Sequence, residues 1–175
     1  MSKVIVYASK YGTSEKYANE MSKALDCPVI SCRNLSKSIS DYSEIIFVAA
    51  VHIGKLISLD KLIAACPAGA VITFVAVGLN DYSLEENRSQ IEKNIETKTA
   101  GKPVKVGNLY YLRGTLNKNM PFLVKAMFNQ IYKNAKKKDE NERNTGDKFI
   151  IEVHENPNFF DSQGLEQIID RIKSS

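Results

Sequence analysis

Tryptophan is absent from the 175 residues, histidine occurs twice, and the three cysteines (Cys27, Cys32, Cys66) form no Cys-x-x-Cys pair. Such an odd, scattered set supports neither a disulfide framework nor a zinc knuckle. It reads as reduced thiols packed as small hydrophobes, which points to a cytoplasmic setting. No run of 18 apolar residues occurs, so an integral transmembrane helix is not expected. The apolar stretch after Met1 is too short for a secretory signal. With 9 glycines and 5 prolines the chain is neither collagen-like nor of low complexity. What remains is ordinary for a folded domain: 43% hydrophobic and 25% charged residues, enough to build one core at a one-domain length. Residues 1–175 are therefore expected to form a single domain.

Charge is unevenly placed. The net charge is +4, but residues 113–148 alone carry nine basic and four acidic side chains, a local +5 that leaves −1 for the rest. The basicity belongs to one segment and needs a local explanation.

Periodicity separates strands from helices. Val4-Ile5-Val6-Tyr7, Glu44-Ile45-Ile46-Phe47-Val48-Ala49-Ala50 and Val71-Ile72-Thr73-Phe74-Val75-Ala76-Val77 are short, nearly continuous apolar runs, suited to strands buried on both faces of a parallel sheet. Weaker strands are expected at 28–32 and 104–112, and a more alternating edge strand at 148–153. Between them, Tyr17, Ala18, Met21, Ala24 and Leu25 mark one helical face opening near Thr13 or Ser14. Leu59, Leu62, Ile63 and Cys66 mark a second helix, stopped by Pro67. Leu84, Ile91 and Ile95 mark a third, and Leu165, Ile168, Ile169 and Ile172 the last. Alternating strands and helices mean right-handed crossovers and a doubly wound α/β sandwich, here with five parallel strands in the order 2-1-3-4-5. About 35 residues between Leu112 and Lys148 break the rhythm. They read as a basic helical insertion (113–147) that splits the last strand, and a loop of that length is usually functional.

The first strand runs into Ala8-Ser9-Lys10-Tyr11-Gly12-Thr13-Ser14 and then a helix. In an open parallel sheet the ligand crevice lies at the carboxyl ends of the strands, where strand order reverses. A loop there that leads into a helix presents unpaired N–H groups and the positive end of the helix dipole, which suits a phosphate dianion. Ser9, Thr13 and Ser14 add hydroxyls, and Gly12 lets the backbone wrap closely. The same residues would also serve as a plain helix cap. Other folds of this shape fail on their own signatures. A receiver domain needs an acidic pair where Ala8-Ser9 stands and an aspartate near Ala49-Ala50, and neither G-x-G-x-x-G nor G-x-x-x-x-G-K-[ST] occurs.

The run Ile5-Val6-Tyr7-Ala8-Ser9-Lys10-Tyr11-Gly12-Thr13-Ser14-x-x-x-Ala18-x-x-Met21 resembles the FMN-binding signature of flavodoxins, with Ser14 where threonine is commoner. Over nearly the whole chain the sequence is similar to the flavodoxin-domain group that includes the bacterial FMN-dependent protoporphyrinogen IX dehydrogenases. Ala49-Ala50-Val51-His52-Ile53-Gly54-Lys55 and the Leu112-Arg113 pair carry that likeness. The resemblance implies one noncovalent FMN, its phosphate in the Ser9–Ser14 loop and its ring between two further loops. These are Ala50, Val51, His52, Ile53 and Gly54 on one side, and Val77, Gly78, Leu79, Asn80, Asp81 and Tyr82 on the other. It makes Gly54 either the glycine whose peptide carbonyl meets flavin N5–H or an ordinary loop glycine. Tyr82 becomes either a stacking partner or a solvated tyrosine. His52 or Ile53 would cover the opposite ring face, and His154 is assigned a structural or surface role. The dehydrogenases tend to carry an arginine and an aromatic where His52 and Ile53 stand, a departure that bears on the tetrapyrrole substrate and not on the flavin site.

The resemblance thus implies an FMN-dependent oxidoreductase that takes a substrate hydride at N5 and passes electrons to a quinone or similar acceptor. The alternative is a flavodoxin-type one-electron carrier without a substrate of its own. No side-chain nucleophile or acid–base pair is evident, so no catalytic side chain and no metal ligand is assigned. For the basic insertion three readings stand: packing on the sheet edge, contact with an anionic membrane surface or quinone-bearing partner, or attraction of carboxylates to residues such as Arg113. Nucleic acid is not an expected partner, since no binding module is present and acids dilute the basic run. The oligomeric state is left open.

Overall fold

The computed structural model describes residues 2–35, 39–116 and 120–174. Strand β1 (Lys3–Ala8) leads to α1 (Thr13–Leu25) and β2 (Val29–Ser31). Then come β3 (Glu44–His52), a two-residue β4 (Lys55–Leu56), α2 (Leu59–Ala65), β5 (Val71–Gly78), α3 (Glu85–Thr99) and β6 (Lys105–Arg113). Three helices close the chain: α4 (Phe122–Lys137), α5 (Thr145–Glu155) and α6 (Ser162–Lys173). The parallel strands stand in the order β2-β1-β3-β5-β6, and β4 pairs antiparallel with the end of β3. Apart from that hairpin, the path is the doubly wound five-strand order expected from the sequence.

Alternation along each strand explains the layers. Val4 and Val6 on β1, Ile45 and Phe47 on β3, and Ile72 and Phe74 on β5 point to one face, where Leu59 and Leu62 of α2 and Ile91 and Ile95 of α3 bury them. Ile5, Ile46, Val48, Val75 and Val77 point to the other, covered by Tyr17, Ala18 and Met21 of α1 and by Leu165, Ile168, Ile169 and Ile172 of α6. Strand order reverses at β1, between β2 and β3, so the carboxyl ends of β1 and β3 open into a crevice.

One expected strand is a helix. Residues 148–153 lie inside α5, and β6 runs unbroken, so the insertion follows the last strand instead of splitting it. The cause is local. Asn144 Oδ1 accepts the Asp147 N–H (2.8 Å) while an Asp147 carboxylate oxygen accepts the Asn144 N–H (3.0 Å), a reciprocal cap that starts a helix. That cap outweighs the β-preference of Phe149-Ile150-Ile151. Ile150 and Ile151 then meet Ala135, Phe128 and Tyr132 of α4 in a small separate core. The His154 ring stacks on Tyr132 at 3.9 Å and its Nε2 lies 2.6 Å from Asn129 Oδ1, so it joins α5 to α4 away from the crevice.

Tyr17 ties the ends of the fold together. Its hydroxyl donates to the Arg113 carbonyl (2.9 Å) and accepts the Asp161 N–H (2.9 Å), and its ring stacks on Phe160 at 4.5 Å. Burial pushes this phenol up to about 12, so it stays a neutral donor. Tyr17→Phe removes both bonds and leaves two backbone groups without partners. We expect it to lower stability by about 2 kcal/mol in urea denaturation, with no change in secondary structure by circular dichroism.

Candidate functional site

The loop after β1 is shaped by its own hydrogen bonds. Ser9 Oγ accepts the Gly12 N–H (2.9 Å), and Gly12 adopts a left-handed φ of 96° as the residue that enters α1. No side chain caps this helix, so the plain-cap alternative for Thr13 and Ser14 is not what the structure has. The Thr13 hydroxyl instead bonds that of Thr115 (2.8 Å) just beyond β6. The Ser14 hydroxyl is 1% exposed and has no protein partner. A buried hydroxyl without a partner is costly, and here it stands at a helix N-terminus whose first amides are also free of side-chain acceptors.

That hydroxyl borders a cavity of about 470 Å³ at the carboxyl ends of β1, β3 and β5. Of the residues expected at the site, Ser9, Lys10, Tyr11, Thr13 and Ser14 line it from the first loop. Ala50, Val51, His52, Ile53 and Gly54 line it from the end of β3, and Val77, Gly78, Leu79, Asn80 and Tyr82 from the end of β5. Two expected residues do not. Gly12 turns its backbone toward a neighbouring recess shared with Tyr7, Ser31 and Arg33. The Asp81 carboxylate accepts the Ser83 N–H (2.9 Å) and hydroxyl (2.6 Å), which shapes the turn before α3 and keeps it off the cavity wall.

The β3–β4 connection is a two-residue hairpin turn in which Ile53 (φ 51°) and Gly54 (φ 68°) both take left-handed conformations, between the paired residues His52 and Lys55. Gly54 fits such a turn, and a Cβ there would run into the Gln90 amide of α3. Ile53 does not fit it: a β-branched residue at positive φ is strained, yet its side chain is 84% exposed.

Tyr82 is no solvated loop residue. Its ring packs on Tyr111 with centroids 5.0 Å apart, and its hydroxyl is buried against Gly78 with no hydrogen-bond partner. Burial pushes both phenols upward, with the Glu92 carboxylate adding to the effect at Tyr111. Tyr82 thus forms a neutral aromatic wall.

Sequence reasoning missed the fourth side of the cavity. Ile57, Gly114 and Thr115 join the lining, and Met120 just before α4 with Val124, Met127 and Phe128 on it close the cavity. Gly114 and Thr115 were findable, because they directly follow the carboxyl end of β6, where the crevice rule places ligand contacts. The α4 residues were legible only as part of the basic helical insertion at 113–147. Arg113, by contrast, faces away from the cavity. It pairs with Glu152 (2.6 Å), its guanidinium lies 4.3 Å from the Phe159 ring and 5.7 Å from Phe149, and its side chain is 11% exposed. It secures α5 and the segment before α6 to the sheet. No group of three or more metal-ligating side chains occurs among the described residues.

This arrangement of strands and crevice agrees with the sequence comparison, in which residues 4–142 match the flavodoxin domain family. The chain belongs to that family. No curated protein sequence matches it. Among solved structures it is similar to the flavodoxin of Fusobacterium nucleatum bound to flavin mononucleotide, at 21% identity over 68% of this chain and 80% of that one, with a TM-score of 0.48. It is also similar to the flavodoxin of Streptococcus pneumoniae TIGR4 (15% identity, 89% and 99% covered, TM-score 0.49). A third similar structure is flavodoxin 2 of Bacillus cereus (16% identity, 79% and 100% covered, TM-score 0.49).

The contact between Gly78 and the Tyr82 hydroxyl gives a direct test of the wall. Gly78→Ala places a methyl where that hydroxyl lies and must push the ring aside. We expect a loss of about 1–3 kcal/mol and a changed near-ultraviolet tyrosine signal, with far-ultraviolet circular dichroism unaltered.

Proposed function

We propose that the chain binds FMN noncovalently and acts as an FMN-dependent oxidoreductase. The observation that carries this reading is the Ser14 hydroxyl, buried and unpartnered at the start of α1 on the rim of a mainly apolar cavity. A phosphate ester there would accept from Ser14, from the free α1 amides and from the Ser9 loop, with the helix dipole favouring its charge. The rest of the cavity suits a flat, largely apolar ring: Tyr82 walls one side, the His52–Gly54 hairpin the other, and Gly78 keeps the floor clear of a side chain. When bound, FMN supplies the redox chemistry, accepting and donating electrons. The protein's own residues bind, orient and exclude water. Tyr82 and Tyr111 are held neutral by burial, and His52, exposed at the end of β3, is within reach of a reactant at the mouth.

The apolar α4 wall favours a substrate-handling enzyme over a carrier. Met120, Val124, Met127 and Phe128 enlarge the apolar surface beside the proposed ring position, where a planar hydrophobic donor could lie. The likeness to the protoporphyrinogen IX dehydrogenases makes a tetrapyrrole the donor to try first, with His52 and Ile53 departing from the arginine and aromatic that group tends to carry. With Arg113 already engaged by Glu152, its carboxylates would have to find other cations, and Lys10 and Lys55 are exposed near the mouth. The second reading, a one-electron carrier, rests on the family fold alone.

FMN fluorescence quenching tests the cofactor. Wild type should quench it with saturable binding, riboflavin should bind at least roughly 100-fold more weakly, and Ser14→Ala should weaken FMN about tenfold while leaving riboflavin unchanged. Equal affinity for FMN and riboflavin, or no quenching, would remove the reading. In the loaded protein, turnover of protoporphyrinogen IX that falls in Met127→Gln supports the enzyme. Single-electron transfer unaffected by that change, with no turnover in wild type, supports the carrier.

A further inference from the structure

Apolar side chains protrude on two sides of the cavity mouth. On one side is Ile53, 84% exposed and held at the hairpin tip in a conformation that a β-branched residue adopts only with strain. On the other is the first half of α4, where Phe122 (82%), Leu123 (79%) and Met127 (54%) are exposed while Val124 and Phe128 turn inward to the cavity. Ile53 and Met127 both line that cavity, so the two projections flank a single opening. Scattered exposed hydrophobes need no explanation, but a cluster around the mouth of an apolar cavity does.

The helix that carries one set of these tips is basic. Helix α4 contains four lysines and no acidic residue. Lys136 is paired with Glu155, but Lys133 and Lys137, four residues apart, lie on the same side of the helix as Phe122, exposed and without an ion-pair partner among the described residues. Lys10 and Lys55 add two exposed cations at the loops beside the mouth. Large apolar tips beside exposed lysines match the interfacial region of an anionic lipid bilayer, where the tips enter the acyl boundary and the ammonium groups meet headgroup phosphates. No helix of the described residues is long and apolar enough to cross a membrane, so the contact would be peripheral.

We propose that the hairpin tip at Ile53 and the Phe122–Leu123 end of α4 dock this chain on an anionic lipid surface with its cavity mouth facing the bilayer. Retaining a strained isoleucine at a solvent-exposed turn is then a functional feature: the turn would be more stable with asparagine, but the tip would lose its apolar anchor. Where FMN occupies the cavity, as proposed above, docking in this orientation delivers a lipid-soluble reactant directly to it. The docking itself requires no flavin, so it can fail while FMN binding holds, and the reverse.

The test is co-sedimentation of the full chain, without added FMN, with vesicles of phosphatidylcholine alone or containing about one third phosphatidylglycerol. Binding is expected to the anionic vesicles only, weakened by salt. It should fall about tenfold in Phe122→Ser/Leu123→Ser and likewise in Lys133→Glu/Lys137→Glu. Ile53→Asn separates docking from folding, because it should raise Tm while lowering vesicle binding. Circular dichroism of each variant should match wild type. The proposal is overturned by absence of binding to anionic vesicles, by equal binding to both vesicle types, or by vesicle binding that the Phe122, Leu123 and Ile53 changes leave intact. A dimer in sedimentation that Phe122→Ser/Leu123→Ser dissociates, without vesicle binding by wild type, would assign the patch to a second copy instead.

Discussion

Burial of β1, β3 and β5 on both faces is the constraint from which the rest follows. Val4, Ile5 and Val6 are successive residues pointing in alternate directions, and all three are inaccessible to solvent. A strand of that kind is stable only if helices cover both sides, so the connections after β1 and β3 must pass on opposite faces. The chain then places β2 and β3 on either side of β1, and the loops at those carboxyl ends diverge. The cavity is a consequence of this topology, which explains why the hydroxyl-rich loop, the Ile53 hairpin and the Gly78–Tyr82 segment meet although some 70 residues separate the first from the last.

Three unfavourable features of the molecule gather around that cavity. Ser14 and Tyr82 bury hydroxyls without partners, and Ile53 holds a left-handed backbone that glycine or asparagine would occupy with less strain. Elsewhere Asn144 and Asp161 cap α5 and α6, and the Tyr17 hydroxyl satisfies two backbone groups at once, while Arg113 buries two guanidinium nitrogens without partners. Three such departures on the wall of one cavity, two of them polar atoms buried without partners, single that cavity out for a ligand.

The segment after β6 shows how two helices are attached to a finished sheet. The α4–α5 pair has its own small core around Ala135, Ile150 and Ile151, and Arg113 fastens α5 by pairing with Glu152 while its guanidinium lies against the rings of Phe149 and Phe159. Phe128 belongs to that core and to the cavity wall at once. Val124 and Phe128 turn to the cavity and Phe122 and Leu123 to solvent, so one helix serves as wall on one side and rim on the other.

Much of this was readable beforehand, for reasons that differ by element. The central strands announced themselves because a run such as Ile45-Ile46-Phe47-Val48 has no polar face to offer water. The phosphate-type loop was readable because its pattern of hydroxyls and glycine is contiguous. The 148–153 segment was misread as a strand because Ile150-Ile151 favours one by composition, while the deciding interaction, a reciprocal bond between Asn144 and Asp147, lies just upstream of it. The sequence by itself determined the sheet, its order and the loop at the start of α1, since burial pattern and turn chemistry act over a few neighbouring residues. Only the tertiary structure decided that Ser14 lacks a partner, that Arg113 is already engaged, and that α4 closes the cavity opposite Ile53. Each of those depends on which distant group arrives within a few ångströms, and no local pattern encodes that.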